Sequence, residues 1–310
     1  MKNNLSNIKK AIKYLNNNEC IAIPTETVYG LAGNAYSDNA TNKIFKLKKR
    51  PKKNPLIVHY YSLNLLKKDC FVSKKFLKLY KKFCPGPISF VLKLKKKSLI
   101  SKNVTNNKKT LAVRFPKHPL TRKLLSKLKY PLAAPSANIA TRISAVKKED
   151  VVDEFGKKIK FVLDGGQSKI GVESTIISLI KKPQILRLGG LEKKDLNKFL
   201  HIKTKYVKKS ENILVPGQGK LHYSPKIPIR LNIKIPRQYE AFVLINKRRL
   251  SDKNYFYLTK NKNLKEAAKN LYSVLRKIKK NKFKSIAIEK IPNKGLGETI
   301  NDRLIRASKF

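Results

Sequence analysis

The chain has 310 residues, of which 72 are lysine or arginine and 19 are aspartate or glutamate, so its formal net charge at pH 7 is +53. This length predicts about two domains, each able to bury a core. No apolar run approaches the ~18 residues of a membrane helix, which argues against a membrane protein. The three cysteines are odd in number and lack metal-site spacing, which indicates a cytoplasmic protein without disulfides.

The positive charge permits two interpretations. Lysine-rich surfaces attract nucleic-acid phosphates, but lysine outnumbers arginine 60 to 12, which is typical of an AT-biased coding sequence. We favour compositional bias over selected RNA binding. The few arginines then become informative, because drift towards lysine should spare arginine only where its planar guanidinium matters. Arg50, Arg114 and Arg187 lie inside the motifs described below.

The first predicted elements are a helix, a strand and a second helix. Apolar residues recur at helical spacing over 5–15, so the chain should begin with an amphipathic helix and not with a signal peptide. The apolar run 20–23 predicts a short buried strand that Pro24 ends. A hydroxyl-rich, glycine-containing turn follows, and a helix should then span 38–48 with Asp38 as its N-cap.

Short elements fill the next 150 residues. The segment 95–109 is basic and has few periodic apolar residues, which indicates an exposed loop. Strands follow strands as well as helices, so the sheet should be mixed and not purely parallel. We predict helices over 62–68, 74–82, 120–128 and 193–200, and strands over 55–59, 89–94, 111–115, 160–164, 174–180 and 184–188. Residues 131–134 should lead into a turn at 135–138.

The last third of the chain predicts a smaller second domain. Strands are expected over 240–246, 254–259 and 285–291, and helices over 264–280 and around 301–304. The fold class is therefore α/β: a twisted mixed sheet with helices, followed by a small Rossmann-like β/α domain. The predicted boundaries are residues 1–200 for the first domain, 201–226 for a linker and 227–310 for the C-terminal domain.

Several motifs point to anion chemistry without a common catalytic signature. The sequence contains no phosphate-binding G-x-x-x-x-G-K-[ST] loop and no G-x-S-x-G nucleophile motif. The histidines and cysteines show no zinc spacing, and the acids inside the motifs, Glu26, Asp164 and Glu173, do not form an evident pair. A nucleotide would therefore be held by scattered cations and hydroxyls, since guanidinium groups match phosphates. The motifs are PTETVYGL (24–31), KKRPKKNPLIVH (48–59), CPGP (84–87), LAVRFP (111–116), APSAN (134–138), GVESTI (171–176) and ILRLG (185–189).

In order and content these motifs resemble the YrdC-type threonylcarbamoyl-adenylate synthases, and the P-G-x-x-x-x-H-Y-x-P segment at 216–225 is similar to the linker of their two-domain members. The resemblance implies a YrdC-like first domain and a nucleotidyltransferase. L-threonine, bicarbonate and ATP would give threonylcarbamoyl-AMP and pyrophosphate, and Mg²⁺ would arrive bound to ATP. A tRNA threonylcarbamoyl-transferase complex would use the product to modify the adenosine beside the anticodon, and a weak contact of this chain with tRNA stays open.

The resemblance also implies the residues of the site. No protein nucleophile is required, and Lys48, Arg50 and Arg114 would stabilise the developing charge. Tyr223 would close the pocket as a lid from the linker; packing within the linker is the alternative. The expected threonine site is Thr27, His59, Arg114, Ala134 and Ser174, and the expected ATP site is Lys48, Arg50, Asn54, Thr110, Ser136, Ser144, Arg187 and Tyr223.

One departure from the family pattern concerns a turn in the ATP site. Ala140 and Thr141 stand where the family usually has Ser-Gly, which weakens the assignment of Ser144.

Two other classes of function are alternatives. A non-catalytic RNA-binding protein would interleave aromatic residues with its cations, whereas 93–109 contains none. A carbamoyl-transfer maturation factor would need acylphosphatase-like and zinc-finger segments, which this sequence lacks.

Overall fold

The strands of the computed structural model form two sheets, and the structure describes residues 2–201, 204–206, 215–216, 221–248 and 252–310. Most of the predicted linker, 201–226, therefore lies outside the described residues. The boundaries proposed for the two domains stay a prediction. No described helix is both long and apolar enough to cross a membrane.

The first sheet is mixed, as predicted. Its strand order is β1-β2-β6-β3-β5-β4-β7-β8-β9. The pairs β3–β5, β4–β7 and β8–β9 are parallel and the others are antiparallel. The strands are β1 (Ile21–Ile23), β2 (Gly30–Asn34), β3 (Ile57–His59), β4 (Ile88–Lys93), β5 (Thr110–Arg114), β6 (Leu132–Ala133), β7 (Thr175–Ser178), β8 (Gln184–Arg187) and β9 (Lys205–Tyr206).

Helices cover this sheet and connect its strands. Helix α2 has the predicted span, but its N-cap is Ser37 and not Asp38, because the Ser37 hydroxyl accepts a hydrogen bond from the Ala40 amide. Its last residue, Lys48, is buried. The helices are α1 (Lys2–Asn16), α2 (Asp38–Lys48), α3 (Leu63–Asp69), α4 (Lys74–Phe83), α5 (Lys102–Thr105), α6 (Pro119–Ser126), α7 (Lys148–Phe155), with a 3₁₀ turn at Gly156–Lys158, and α8 (Lys193–Leu200).

The structure differs from the sequence prediction at several elements. The strand predicted over 160–164 makes only one bridge among the described residues, Val162 beside Ala22 of β1, where the Ala22 amide donates to the carbonyl oxygen of Phe161 and the Leu163 amide donates to that of Ala22. Strand β2 lies where we expected a turn, since its small residues can also pair with β1 and β6. The segment 95–109, predicted to be an exposed loop, contains the short helix α5 and buries Ile100, Ser101, Val104 and Thr105. Helix α7 and strands β6 and β9 were not predicted.

The second sheet is parallel and belongs to the C-terminal part of the chain. Its order is β10-β13-β11-β12, formed by Ile229–Leu231, Ile286–Ile288, Ala241–Asn246 and Tyr255–Thr259. Helix α9 (Leu264–Lys280) has the predicted bounds, and α10 (Leu296–Ala307) ends the fold. The apolar core of this part also includes Val28, Ile143, Val146 and Val172, so it packs directly against the motif-bearing part of the chain.

Candidate active site

Adjacent strand ends place a histidine and an arginine side by side. His59 ends β3 and pairs with Arg114 at the end of the parallel strand β5, and Ser89 of β4 pairs with Arg114 on the other side. All three side chains are buried. Because β3 and β5 run in the same direction, the motifs that end them converge at one edge of the sheet.

A small cavity lies at this edge. Its volume is about 30 Å³, whereas pockets for drug-sized ligands measure roughly 300–1,000 Å³. Pro216, His222 and Tyr223 of the predicted linker form part of its lining, so a nucleotide would require this segment to move. The expected site residues that line the cavity are Arg50, His59, Arg114, Ala134, Ser136, Ser174, Arg187 and Tyr223.

The structure brings the three motif arginines together in this cavity. Arg50 donates to the carbonyl oxygens of Asn54 and Pro55 over 3.2 and 3.1 Å. Burial lowers the pKa of Arg50 to about 10, and the nearby Arg187 adds to that shift while Tyr223 opposes it. A buried cation whose partners are neutral carbonyls favours the arrival of an anion. The cavity therefore has the electrostatics of a phosphate or carboxylate site.

Arg187 and Arg114 have different partners. Arg187 donates to the carbonyl oxygen of Ser174 from Nε and Nη2 (3.1 and 2.8 Å) and to the Ser174 hydroxyl from Nη2 (3.1 Å). Arg114 forms a buried ion pair with Glu26, with Nη2 and Oε1 2.8 Å apart. Arg114 is thus already neutralised by the protein, whereas Arg187 binds only uncharged groups directly among the described residues.

Lys48 lies beside the cavity but not in its lining. Its Nζ atom donates to the carbonyl oxygens of Ser136 and Asn138 over 2.5 and 2.6 Å. Burial lowers the pKa of Lys48 well below its usual range, and the Arg50 cation lowers it further. In this structure Lys48 holds the 135–138 turn in place, and a direct phosphate contact stays a prediction.

Four other expected residues also lie outside the cavity lining. The Thr27 hydroxyl is 2.8 Å from that of Thr25, and the Ser144 hydroxyl donates to Oε1 of Glu173 over 2.7 Å. Asn54 supplies its backbone carbonyl to Arg50, and its own side-chain oxygen is buried without a partner among the described residues. Thr110 starts β5, on the same face as Arg114 but four residues away. Their roles towards ligand stay predictions.

Three ring side chains at the cavity carry buried polar atoms without a partner among the described residues. These atoms are Nδ1 of His59, Nδ1 of His222 and the hydroxyl of Tyr223. Burial lowers the pKa of His59 well below 6.5, and the adjacent Arg114 cation adds to this, so its imidazole is neutral. Buried polar atoms are normally hydrogen-bonded. A polar ligand would supply the missing partners.

An apolar patch continues the site along the sheet face. Ile57, Val91, Ala112, Ile176 and Leu186 form it, and Val215 of the predicted linker covers it. The cavity and this patch together combine cations, hydroxyls and apolar surface, as a nucleotide requires.

Sequence reasoning missed the residues that support the cavity from behind. Glu26 and Glu173 lie inside motifs, but nothing in the sequence showed that each has a buried arginine partner. Tyr272 and Arg303 come from the C-terminal helices and contact Glu173. The scarcity of arginine is the signal that could have drawn attention to Arg303.

Comparisons with known proteins agree with the fold and identify the family. The Sua5/YciO/YrdC family model, described as telomere recombination, matches residues 13–189, and the model described as threonylcarbamoyl-AMP synthase, C-terminal domain, matches residues 184–309. The threonylcarbamoyl-AMP synthase of Pyrococcus abyssi is 33% identical over 98% of this chain and 94% of its own length. The Bacillus subtilis protein of the same name is 33% identical over 97% of this chain and 92% of its own length. The crystal structure of P. abyssi Sua5 complexed with L-threonine superposes with a TM-score of 0.90 at 32% identity, covering 97% of this chain and 94% of that one.

Proposed function

This chain belongs to the family of two-domain threonylcarbamoyl-AMP synthases of the Sua5 type, and from that premise we propose that it makes threonylcarbamoyl-AMP from L-threonine, bicarbonate and ATP. The reaction transfers an adenylyl group, so the enzyme acts as a nucleotidyltransferase. One observation carries the proposal: Arg50, Arg114 and Arg187 share one buried cavity with His59.

The chemistry requires two anions to meet. The threonine amine reacts with bicarbonate to give a carbamate and water. A carbamate oxygen then bonds to the α-phosphorus of ATP as the bond from that phosphorus to the pyrophosphate oxygen breaks, giving threonylcarbamoyl-AMP and pyrophosphate. Positively charged groups that are positioned in advance lower the barrier to such an approach.

The residues divide between the two reactants in this proposal. Arg50 and Arg187 bond only to uncharged oxygens among the described residues, so they would bind the ATP phosphates, with the Arg187 bond to Pro216 giving way when the linker moves. The apolar patch under Val215 would take the adenine ring. His59, Arg114, Ala134 and Ser174 form the threonine side of the cavity, where the neutral His59 imidazole can accept or donate one hydrogen bond.

Mg²⁺ would enter with the nucleotide as part of the substrate. Among the described residues no three acidic, histidine or cysteine side chains lie close enough to hold a metal ion. Mg²⁺ commonly keeps several waters and binds through substrate phosphates. The ion would partly neutralise the phosphates that Arg50 and Arg187 hold.

The product would be passed on. A tRNA threonylcarbamoyl-transferase complex is the proposed recipient, because a mixed anhydride of this kind hydrolyses readily in water. Tyr223 and His222 line the cavity, and after moving to admit the nucleotide they would close again over the product and shield it from water until release.

A substrate screen tests the proposed activity. The purified chain is incubated with ATP, Mg²⁺ and bicarbonate together with each amino acid in turn, and pyrophosphate release is measured. We expect release only with threonine, and none when bicarbonate is removed. Release that does not depend on threonine, or none at all, would contradict the proposal and favour the non-catalytic RNA-binding alternative.

A further inference from the structure

Glu173 is a buried carboxylate that connects the cavity to the C-terminal part of the chain. It lines the cavity and is 4% exposed. Oε1 accepts from the Ser144 hydroxyl over 2.7 Å, and Nε of Arg303 donates to Oε2 over 2.8 Å. The Tyr272 hydroxyl lies 3.1 Å from both oxygens. Two of these three partners belong to helices α9 and α10.

Arg303 contacts three parts of the site at once. Its side chain is 1% exposed. Besides Glu173 it donates from Nη2 to the carbonyl oxygen of Leu188 over 2.6 Å, and its guanidinium lies 4.6 Å from the centre of the Tyr223 ring. Asp302 binds Nη1 over 2.6 Å. One side chain therefore joins a cavity carboxylate, the loop after β8 and the predicted lid.

Close backbone packing fixes the positions of helices α9 and α10 against the loops that contain Gly171 and Gly189. Gly171 has a positive φ of 78°, and a Cβ atom there would lie 2.4 Å from Cα of Lys269 in α9. The Thr299 hydroxyl of α10 donates to the carbonyl oxygen of Gly189 over 3.1 Å. Only glycine permits the first approach. The two helices thus have one defined position relative to Glu173.

We propose that Arg303 is a positioning residue of the active site: from helix α10 it holds the Glu173 carboxylate, fixes the 171–175 segment that carries Ser174, and supports Tyr223 in its closed position. This inference rests on the proposed function. It gives the C-terminal part of the chain a defined task, which is to complete the wall of a site whose ligand-binding residues lie in the first part.

Electrostatics support this role. Burial alone would raise the pKa of Glu173, but the Arg303 and Arg187 cations and the hydrogen bond from Ser144 lower it to about 2. Without the Arg303 cation, less would oppose the effect of burial on the pKa of Glu173. That pKa would rise, and the carboxyl would take up a proton nearer neutral pH. The charged or titratable groups that face Glu173 are Arg303 of α10, Tyr272 of α9, Arg187 of β8, Lys48 of α2, and His222 and Tyr223 of the linker.

The test compares four variants with the wild-type chain. Arg303→Met removes the charge but keeps the length of the side chain, and Arg303→Lys keeps the charge but loses the fork. The double variant Arg303→Met/Glu173→Gln removes both charges. Arg230→Met is the matched control, because Arg230 also binds a buried glutamate of the C-terminal part, Glu240, with Nη2 and Oε2 2.7 Å apart, away from the cavity.

The measurements are the pH profile of threonine-dependent pyrophosphate release and the melting temperature. We expect Arg303→Met to lose about 10–100-fold in kcat/KM at neutral pH, as expected for a lost hydrogen bond to a charged group, and to regain part of it as the pH rises and Glu173 ionises. The double variant should lose this new pH dependence and melt higher than Arg303→Met. Arg303→Lys should keep the shape of the wild-type pH profile and have a higher KM. This variant provides the test if Arg303→Met does not fold.

Two results would overturn the inference. One is a pH profile of Arg303→Met with the same shape as that of the wild type. If that variant does not fold, the equivalent result is wild-type kinetics in Arg303→Lys. The other is an equal loss of activity in Arg230→Met, which would indicate a general effect on folding. If the wild-type chain itself releases no pyrophosphate with threonine, the proposed function fails instead, and the two failures are distinguishable.

Discussion

Arg187 donates a hydrogen bond from Nη1 to the carbonyl oxygen of Pro216 over 3.2 Å, so the linker contacts a cation that we assign to phosphate. The same linker contributes Val215 to the apolar patch. ATP and the linker would therefore compete for one guanidinium and one apolar surface.

The first prediction concerns Arg187. Arg187→Met should lower kcat/KM for ATP by about 10²–10³-fold, because a positioned donor to developing charge contributes roughly that much. Arg187→Lys should have a kcat/KM for ATP between those of the wild type and Arg187→Met, because lysine keeps the charge but cannot bind bidentately. Arg122→Met is the control, since Arg122 lies over the Tyr61 ring outside the cavity. Pyrophosphate release at varied ATP gives the comparison, and near-normal activity in Arg187→Met would remove Arg187 from the ATP site.

The second prediction separates the lid function of Tyr223 from its packing. The Tyr223 hydroxyl is buried without a partner among the described residues, so Tyr223→Phe should leave the melting temperature unchanged or higher. If the hydroxyl binds ATP when the lid closes over it, the same variant should raise KM for ATP by about 2–10-fold, as expected for one hydrogen bond. A variant with unchanged KM would leave Tyr223 as a packing residue only.

The sequence motifs were most informative about the site at positions where an arginine side chain would bind an anion. Arg50, Arg114 and Arg187 come from three separate motifs, yet they line one cavity. Arg114 and Arg187 end strands β5 and β8, and Arg50 follows helix α2. The sequence could not show which way Lys48 points, since its Nζ atom binds carbonyl oxygens that lie 88 and 90 residues further along the chain.

Contacts between the two parts of the chain were beyond the reach of local patterns. Glu173 and Arg303 are 130 residues apart and meet where α10 packs against the loop after β8, through bonds to the carbonyl oxygens of Leu188 and Gly189. The helix period correctly predicted α9, but it did not show that Tyr272 on that helix faces a carboxylate. Strand β2 was missed because glycine and alanine have low strand propensity, and tertiary pairing decided its conformation.

The third prediction concerns the buried ion pair between Arg114 and Glu26. From the sequence we expected Arg114 to act on ligand alone, whereas the structure gives it a carboxylate partner at 2.8 Å. Arg114→Met should therefore cost about 3–5 kcal/mol of unfolding free energy, because Glu26 is left buried and unpaired. The double variant Arg114→Met/Glu26→Gln should recover most of this stability but none of the pyrophosphate release. Chemical denaturation and the activity assay measure the two effects, and recovery of activity would show that Arg114 has no role towards ligand.

The fourth prediction is an acid-side loss of stability that arises from His59. Its folded-state pKa lies well below 6.5 because the ring is buried next to Arg114. As the pH falls below 6.5, the imidazole therefore takes up a proton in the unfolded chain but not in the folded chain. The stabilisation is fully present above pH 6.5 and is lost as the pH falls below that value. Between pH 7 and 5 it should amount to about 2 kcal/mol, since each pH unit below the unfolded pKa costs ~1.4 kcal/mol per proton.

Denaturant unfolding at pH 7, 6 and 5 measures this loss directly. His59→Gln cannot take up a proton, so its free energy of unfolding should fall less steeply over this range than that of the wild type. Ser136→Ala is the control, because it alters a hydroxyl in the same cavity without removing a titrating group. Equal slopes in the wild type and in His59→Gln would show that His59 takes up its proton with the same pKa in the folded and unfolded chains, so that burial beside Arg114 would not lower the pKa of His59.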